Sequence, residues 1–574
     1  MDKSVLHRRS LLACGLLLPL AAAQSQATET DDNVIVTATR TAESVDDTLA
    51  SVTVLTRADI ERLGPSGLPE LLAGQPGVDI SSTGGFGKAT SLSLRGTNAD
   101  QTLVLIDGVR VGSATTGTAA LELIPTDQIE RIEIVRGPRA SLYGADAMGG
   151  VIQIFTRPGT GSGWQASATG GSFGTWGGRA ATRGEVGDTR YSLTVSGLTS
   201  DGYDIQKDGV VGSFGPTPIE PDKDGYRNTA VDLGVTQRLS GSTELGIQAL
   251  RAQGHTDYDG VPNRTDFVQQ VLSAHLGGEL SEQWYSRVSL GESRDEADNL
   301  LDNAGYSTFN TRRSSASWQN DLSLPGRQLL TLGLDGWRDA VDSTTAFTKD
   351  ARDDWAVFAQ DQITLARQQF ILGLRRDDDQ SFGSQTTGNA TWGVALRDDL
   401  RLSASYGTAY KAPTFNDLYY PFDGFYAGNP NLKPETAHNA ELGLHYNLAP
   451  LSLTASVFRN TIDDLIVFDA AKGTVDNIDR ARISGAESGI EYRSGPWRSY
   501  AALTALHTEN LETGGELPRR ADKSARFELD RSFGAYRLGA TLLAQDGRYD
   551  DAANTVRLAG YGRLDLRAEW LFAP

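Results

Sequence analysis

The sequence contains few of the residues that usually carry catalytic or covalent chemistry. Among its 574 residues there are one cysteine and six histidines. A chain with a single cysteine has no internal disulfide. It shows no cluster of histidine and cysteine with metal-site spacing, no nucleophile elbow and no phosphate-binding loop, and the glycine-rich Gly84–Gly87 does not match the fingerprint of such a loop. The sequence therefore does not predict an enzyme.

Long apolar runs and excess positive charge are also missing. Beyond the N-terminus there is no run of 18 apolar residues, which excludes a membrane-spanning helix. The formal charge of −20 leaves no basic stripe for phosphates, so nucleic acid is not an expected partner. Acidity of this size fits a calcium site or plain solubility.

Residues 1–23 have the pattern of a secretory signal peptide, which is removed on export. Such a signal directs the chain beyond the inner membrane. Two alternatives stay open, namely lipid attachment at Cys14 and twin-arginine export through Arg8 and Arg9. The pattern consists of the basic residues Lys3, Arg8 and Arg9, the apolar run Leu11–Leu20 and the small residues Ala21–Ala23.

The chain divides near Arg157–Gly159, where the hydrophobic pattern changes. Residues 41–158 mix short helical and strand patterns, which predicts a compact α+β domain of about 120 residues. The helical patterns are Arg57–Leu63 and Leu68–Ala73, separated by Gly64–Pro65, and the strand patterns are Ser91–Leu94 and Leu103–Ile106.

Residues 159–574 follow a period of two. In Leu442–Leu448, Leu451–Val457 and Leu564–Trp570, apolar residues alternate with polar ones, so one face of each strand is apolar. Many segments of about ten residues with this alternation, separated by turn residues, indicate a transmembrane β-barrel with a wet lumen. A soluble propeller or β-solenoid is the alternative, but it needs a fixed repeat that the sequence does not show.

The first domain contains four motifs in this order, namely PGVDI at Pro76–Ile80, SLRGTN at Ser93–Asn98, LVLIDGVR at Leu103–Arg110 and the long segment Ile132–Ile154. Together they resemble the plug of TonB-dependent outer-membrane receptors. This resemblance implies a transmembrane β-barrel of 22 strands with an N-terminal α+β plug inside its lumen. It also implies a monomer in the lipid of the cell outer membrane.

A β-prone segment within residues 24–40 resembles the Ton box of this family. The resemblance implies that the periplasmic partner TonB, working with ExbB and ExbD, captures this segment by strand addition and thereby energises transport. Alone, such a run is usually just a first strand. The segment consists of Asn33, Val34, Ile35, Val36, Thr37, Ala38, Thr39 and Arg40.

Four charged residues match positions that form an arginine and glutamate cluster between plug and barrel in the family. The resemblance implies that they orient the plug, because buried charges are tolerated only when they are paired. Ordinary solvated charges are the alternative. The four are Arg95 and Arg136 in the plug and Glu435 and Glu487 in the barrel.

The segment Tyr410–Thr436 resembles the cobalamin (vitamin B12) receptors within this family. Haem receptors place a histidine between similar flanks, and none occurs between Pro413 and Asn429. The resemblance implies TonB-dependent transport of cobalamin, with a ferric siderophore receptor as the alternative. A passive pore or adhesion barrel would leave the plug and the Ton box without a role.

Carboxylates crowd into two segments after residue 200. In the cobalamin receptors, calcium ions order the outer loops through a similar series of acidic residues. Calcium prefers six to eight oxygen ligands, often from one short loop. Glu220 replaces the family's glutamine, and solvated acidic loops are the alternative. The implied calcium ligands are Asp204, Glu220, Asp222, Asp224, Tyr258, Asp259 and Asp266.

The same resemblance implies a cobalamin surface between the plug apices and these loops. A corrinoid presents amide arms and a large apolar edge, which small polar groups and an aromatic ring can contact. The loop after Arg110 is one residue shorter than in the familiar receptors. The implied contacts are Ala89, Ser91, Asn98, Thr115, Thr116 and Tyr258.

The C-terminal end departs from the family pattern. The strand pattern Leu564–Leu571 is followed only by Phe572–Pro574. Receptors of this family continue with two further strands, the last of which ends in an aromatic residue that the barrel assembly machinery reads. The resemblance therefore predicts a C-terminally truncated barrel of about 20 strands, because two strands of about ten residues each are missing.

Overall fold

A computed structural model describes most of the chain. The predicted signal peptide and five predicted Ton box residues, Asn33, Val34, Thr37, Ala38 and Thr39, lie outside the described residues. Among the described residues, no helix has the length and apolar character needed to cross a membrane. The structure describes residues 35–36, 40–41, 43–156, 162–205, 211–212, 215–216, 220–469 and 472–572.

The N-terminal domain, which we call the plug, is built on a five-stranded sheet. Strand order in this sheet is β3-β8-β9-β6-β7, with β6 and β9 parallel and the other pairs antiparallel. The plug strands are β1 (Ile35–Val36), β2 (Glu43–Ser44), β3 (Val52–Thr56), β4 (Val78–Ser82), β5 (Thr90–Leu94), β6 (Thr102–Ile106), β7 (Val109–Arg110), β8 (Ile129–Arg136) and β9 (Gly150–Thr156).

The plug helices are short, and the first two form where the sequence predicts them. Helix α1 (Arg57–Leu63) begins after Thr56, whose hydroxyl accepts from the Asp59 backbone N–H in a capping box, and ends at Gly64 in the left-handed region with φ +56°. The remaining helices are α2 (Leu68–Leu72), α3 (Ala140–Tyr143) and the 3₁₀ turns Ala99–Gln101, Leu121–Leu123 and Thr126–Gln128.

Among the described residues, the second domain is one antiparallel sheet of twenty long strands, and the family resemblance predicts about 20. Two short pairs, β13–β14 and β31–β32, and helix α4 (Phe415–Tyr419) lie in its loops. The strands are β10 (Gly163–Gly171), β11 (Thr175–Val186), β12 (Thr189–Ser200), β13 (Val211–Gly212), β14 (Gly215–Pro216), β15 (Tyr226–Ser240), β16 (Thr243–Asp257), β17 (Arg264–Ser281), β18 (Trp284–Leu301), β19 (Ala304–Leu324), β20 (Gln328–Ser343), β21 (Ala351–Leu365), β22 (Gln368–Asp379), β23 (Gly383–Arg397), β24 (Leu400–Lys411), β25 (Glu435–Leu448), β26 (Leu451–Asp469), β27 (Thr474–Ser494), β28 (Trp497–Asn510), β29 (Lys523–Phe533), β30 (Tyr536–Gln545), β31 (Arg548–Tyr549), β32 (Arg557–Leu558) and β33 (Tyr561–Trp570).

The alternation along these strands separates an apolar outer face from a polar inner one. Leu442, Leu564 and Leu566 are 60%, 62% and 77% exposed, whereas Asn439, on the opposite face of β25, is 3% exposed. One end of the barrel has turns of two or three residues and the other has the long loops. In outer-membrane barrels the short turns face the periplasm and the long loops face the outside.

The plug is fixed to the barrel wall by a buried network of four charges. Arg95 pairs with Glu441 on β25 at 2.8 Å and with Glu487 on β27 at 2.5 Å. Arg136 donates from Nε to the same Glu487 at 2.9 Å. Both arginines and Glu487 are at most 5% exposed, so the charges balance one another away from water.

The structure corrects the predicted cluster at Glu435. Its carboxylate accepts from the Gln101 side chain at 2.6 Å and from the Ile466 backbone N–H at 2.9 Å, not from the arginines. Glu435 and Glu441 both point into the lumen from β25, but six residues of antiparallel strand separate them by about 20 Å. Glu441 therefore takes the place assigned to Glu435.

Removing one charge of this network should reduce the stability of the plug more than removing an arginine together with its glutamate. For Glu487→Gln we expect a loss of about 3–5 kcal/mol in plug stability, because Arg136 and Arg95 would keep their charge without a full set of partners. The double variant Arg136→Met with Glu487→Gln should lose less. Denaturant unfolding, combined with limited proteolysis of the plug, measures both, and equal losses would contradict a coupled network.

Candidate substrate and cation site

Three carboxylates from two outer loops converge at the mouth of the barrel. Asp204 and Asp224 lie between β12 and β15, and Asp259 lies between β16 and β17. One carboxylate oxygen from each lies within 4.8 Å of the others. We call these three residues the carboxylate group.

Asp259 forms no ion pair with any of the residues that the structure describes. Within the described residues, both of its carboxylate oxygens are shielded from solvent and accept no hydrogen bond. Burial, together with the nearby Asp224 and Asp204, raises the pKa of Asp259 to about 6. A shielded anion among like charges is stable only if it takes up a proton or a cation.

Hydrogen bonds within and between the two loops hold the carboxylate group together. Asp224, 4% exposed, accepts from the Ile205 backbone N–H at 2.9 Å, and burial raises its pKa. Glu220 accepts from the Gly260 backbone N–H at 3.1 Å and so joins the two loops. Gly202, with φ +71°, permits this approach, since a Cβ there would lie 2.0 Å from the carbonyl oxygen of Asp224.

Four predicted calcium ligands, Glu220, Asp222, Tyr258 and Asp266, lie outside the carboxylate group. Asp266 is exposed and accepts from Arg264 at 3.2 Å, because it belongs to β17 and not to the preceding loop. The Tyr258 hydroxyl is hydrogen-bonded to Thr265 at 2.8 Å. Asp222 is exposed beside Glu220, whose carbonyl oxygen accepts from its backbone N–H. Only part of the predicted series of calcium ligands therefore converges in the structure.

The first plug apex is the hairpin of β4 and β5, directly below these loops. Ala89 and Ser91 are exposed on it, and Asn98 beyond it is half-buried and accepts from Arg520. These positions leave Ala89 and Ser91 accessible from the outer side of the barrel.

Lys88 is a functional candidate that the sequence reasoning missed. Its Nζ donates to the Gly225 carbonyl at 3.2 Å and to the Thr256 hydroxyl at 3.1 Å, which lie side by side where β15 begins and the paired strand β16 ends. Burial lowers the pKa of Lys88, an effect opposed by Asp224 and Asp257. The plug apex therefore contacts the base of the carboxylate group through one cation. In the sequence, the only sign of this contact is the single lysine in the segment GFGKAT.

The second plug apex presents one threonine outward and not two. Thr116 is exposed, but Thr115 is 2% exposed, with its hydroxyl bonded to Ser113 at 2.7 Å and its carbonyl accepting from the Asn416 N–H at 3.2 Å. Thr115 packs against the start of helix α4 and is buried there, so the structure corrects its predicted role as a surface contact.

The described part of the predicted Ton box lies at the other end of the plug. Strands β1 and β2 pair with each other, Ile35 opposite Ser44. Arg40 forms a two-pronged ion pair with Asp335 of β20 at 3.0 and 3.1 Å. Its guanidinium also stacks over the rings of Tyr143 and Phe358.

Comparisons with known proteins agree on the class of this chain. The family model "TonB-dependent Receptor Plug Domain" matches residues 44–151, and "TonB dependent receptor-like, beta-barrel" matches residues 156–573. A protein named Vitamin B12 transporter BtuB from Photobacterium profundum is 33% identical over 98% of this chain and 93% of its own length. One of the same name from Vibrio vulnificus is 32% identical over 99% and 92%.

Solved structures of siderophore receptors have the same fold. The ferric enterobactin receptor PfeA from Pseudomonas aeruginosa, in a variant complexed with enterobactin, matches with a TM-score of 0.75 and 23% identity over 91% of this chain and 92% of that one. The siderophore receptor PirA from Acinetobacter baumannii matches with a TM-score of 0.75 and 18% identity over 92% and 93%.

The two family models and the full-length relatives therefore indicate one class of protein. Proteins of this class are located in the outer membrane and act in TonB-dependent transport, not as enzymes. The chain belongs to the family of TonB-dependent receptors.

Proposed function

We propose that this receptor takes up cobalamin and that calcium orders the loops over its entrance. The observation that carries the proposal is the carboxylate group, whose three members come from two loops and meet directly above a plug apex. The relatives that share about a third of this sequence carry the name of vitamin B12 transporters.

The spacing of the carboxylate group suits a hard cation. Calcium binds oxygen at about 2.4 Å, so two oxygens on one ion are at most about 4.8 Å apart. The oxygens of Asp204, Asp224 and Asp259 meet this limit pairwise. Calcium would supply the positive charge that the shielded Asp259 lacks, and Glu220 and Asp222 lie close enough in sequence to complete the ligand set.

The proposed corrinoid surface lies between the two plug apices and this mouth. Ala89, Ser91 and Thr116 face outward there, which offers small and polar contacts to amide arms. Asn98 and Tyr258 would contribute from the sides of the same space. An ordered mouth reduces the entropy lost on binding, so cation and corrinoid binding would reinforce each other.

Energy would enter at the opposite end of the plug. We propose that TonB adds a strand to the segment Asn33–Arg40 and pulls on it from the periplasm. Arg40 is held in the wall by Asp335, so traction on the segment acts first on this ion pair. The pull would then reach the plug sheet through β3.

A ferric siderophore is the second candidate substrate, because the structural neighbours include siderophore receptors. These neighbours are less than 25% identical, so they support the fold and leave the substrate to experiment. A direct comparison of the two ligands separates the candidates.

We expect purified receptor to bind cyanocobalamin more tightly in calcium than in chelator, and to bind ferric enterobactin weakly in both. Calcium would fix the mouth, so the difference should appear mainly in the dissociation rate. Titration followed by intrinsic fluorescence measures both ligands. Absence of corrinoid binding in calcium by correctly folded barrel would exclude the proposed substrate.

Asp259→Asn should weaken calcium binding by about tenfold or more, since the number of charged ligands sets calcium affinity. Asp266→Asn is the matched control, because Asp266 is paired with Arg264 outside the carboxylate group. Calorimetric titration with calcium distinguishes the two. Equal losses for both variants would place the ion elsewhere in the loops.

Val34→Pro should abolish uptake and spare binding, because proline removes the N–H that a strand ladder needs. Val34→Ile, which keeps the strand preference, should transport normally. Whole-cell uptake and binding of labelled cyanocobalamin are measured side by side. Loss of binding together with uptake would refute a role restricted to coupling.

A further inference from the structure

The outer face of β26–β30 carries a wide groove where the outward side chains are small. The groove has a volume of about 910 Å³, and it lies on the lipid-facing side of the wall. Leu442, Val457 and Leu503 stand exposed along its edge. Its floor is formed by six small residues that point outward, namely Ala455, Ala486, Ser488, Ala505, Ala525 and Ala544.

The floor of this groove is continuous across neighbouring strands. Ala486 of β27 lies opposite Ala505 of β28, and Ala525 of β29 lies opposite Ala544 of β30. Glu487, whose side chain points into the lumen, also lines the groove, because the small outward residues leave the main chain uncovered. The groove is therefore a property of the strands themselves and not of the loops above them.

Four polar residues lie at one level on the same outer face, namely His438, Arg459, His507 and Lys523. Each is about ten residues from the short turn at the periplasmic end of its own strand. Ten residues of a strand that rises about 3.3 Å per residue and tilts by about 40° span a height of about 25 Å, which is the height of the apolar band of outer-membrane barrels. The four residues therefore lie at the outer edge of the hydrocarbon.

Three of these residues stand at the outer end of the groove. Residues two apart in a strand share a face and are separated by about 7 Å. Lys523 and Ala525 have this relation on β29, and His507 and Ala505 have it on β28. Arg459 has the same relation to the groove edge on β26. All three side chains are exposed, so two cations and an imidazole lie directly above the groove.

The two cations lack the partners that outward arginines have elsewhere on the wall. Arg312 on β19 and Arg338 on β20, at a similar level, pair with carboxylates of neighbouring strands at 2.5 and 3.1 Å. Arg459 donates to the Ser484 hydroxyl at 3.3 Å. Among the residues that the structure describes, neither Arg459 nor Lys523 forms an ion pair. Positive charge at the head of the groove is thus left for an external anion.

We propose that this face of the barrel binds a phosphorylated lipid of the outer leaflet. Its phosphate would be held by Arg459, His507 and Lys523, since guanidinium and ammonium groups both bind phosphate strongly. One of its acyl chains would lie in the groove below. A membrane lipid has its anionic group at the edge of the hydrocarbon and its chains beneath, which is the order of cations and groove on this wall.

The distribution of charge favours a lipid over a second copy of this chain. A twofold interface places the same patch of both subunits in contact. Arg459 and Lys523 would then face their own copies, and the contact would bring positive charges together without an anion. A lipid phosphate neutralises both side chains and fills the groove at the same time.

A lipid in this groove would cover the part of the wall that holds the plug. Glu487 lines the groove through its main chain, and its carboxylate binds Arg95 and Arg136 inside the lumen. A bound lipid would therefore stabilise the strands on which these ion pairs depend. We expect it to raise the temperature at which the purified receptor unfolds.

Titration of the purified receptor with lipid A in detergent, followed by native mass spectrometry, tests the site. A chelator is present throughout, so that calcium at the carboxylate group does not contribute. We expect lipid A to bind at least about tenfold more tightly than its dephosphorylated form, because the phosphate forms charge-assisted hydrogen bonds. Equal affinity for the two lipids would overturn the proposal.

The variant Arg459→Gln with Lys523→Gln removes both charges at the head of the groove. It should bind lipid A about tenfold more weakly than the unchanged receptor, since the charge-assisted bonds to the phosphate are lost. The matched control is Arg312→Gln with Arg338→Gln, which removes two outward charges at a similar level and should bind lipid A normally. Equal losses for the two variants would show that the lipid responds only to total charge, which contradicts a defined site.

The variant Ala505→Trp fills the floor of the groove and tests the acyl chain. It should weaken lipid A binding and remove the rise in unfolding temperature that lipid A produces. The control Ala390→Trp adds the same side chain at an exposed outward position on β23, beside Trp392, and should leave both quantities unchanged. Limited proteolysis of the plug checks that both variants are folded. Normal binding by the Ala505→Trp variant would overturn the placement of the chain.

A cysteine in the groove separates the lipid from a second copy of the chain. The variant Ala505→Cys, in a chain that also carries Cys14→Ser, is oxidised in cells. Absence of a disulfide-linked dimer, together with lipid A binding, supports the lipid, whereas an abundant dimer would show that the groove is an interface between copies. None of these measurements uses the transported solute, so they stand whether or not cyanocobalamin binds.

Discussion

The structure depends on the neutralisation of Arg95 and Arg136 inside the barrel. These two plug residues leave water only because Glu441 and Glu487 on the wall accept their hydrogen bonds. Burial of such charges without partners would cost several kcal/mol per ion. The pairing therefore sets the height and rotation of the plug, and with them the positions of both apices under the outer loops.

Further ion pairs hold the plug to the barrel wall, among them Arg40 to Asp335 on β20 and Arg62 to Glu528 on β29. At the mouth, Lys88 contacts the base of the loops that carry Asp224 and Asp259. The first apex is therefore in direct contact with the base of the outer loops, and Arg40 contacts the wall at another part of the plug.

Residue types were easier to predict than residue partners. The predicted carboxylate series contains Asp204, Asp224 and Asp259, which converge in the structure, and also Asp266, which pairs with Arg264 instead. Thr115 is not a surface contact, because its loop packs under helix α4 and its side chain is buried. Spacing along a loop does not give its path, and the path decides which oxygens converge.

The sequence by itself determined the elements with local causes. Thr56 and Gly64 bound helix α1, and alternation of period two specifies the strands and their lipid-facing side, because capping and pleating act over a few residues. Only the tertiary structure decided that Glu441, and not Glu435, meets Arg95 across 346 residues of chain. Both glutamates have the right charge and the right face, and the choice between them depends on how deep the plug sits in the barrel.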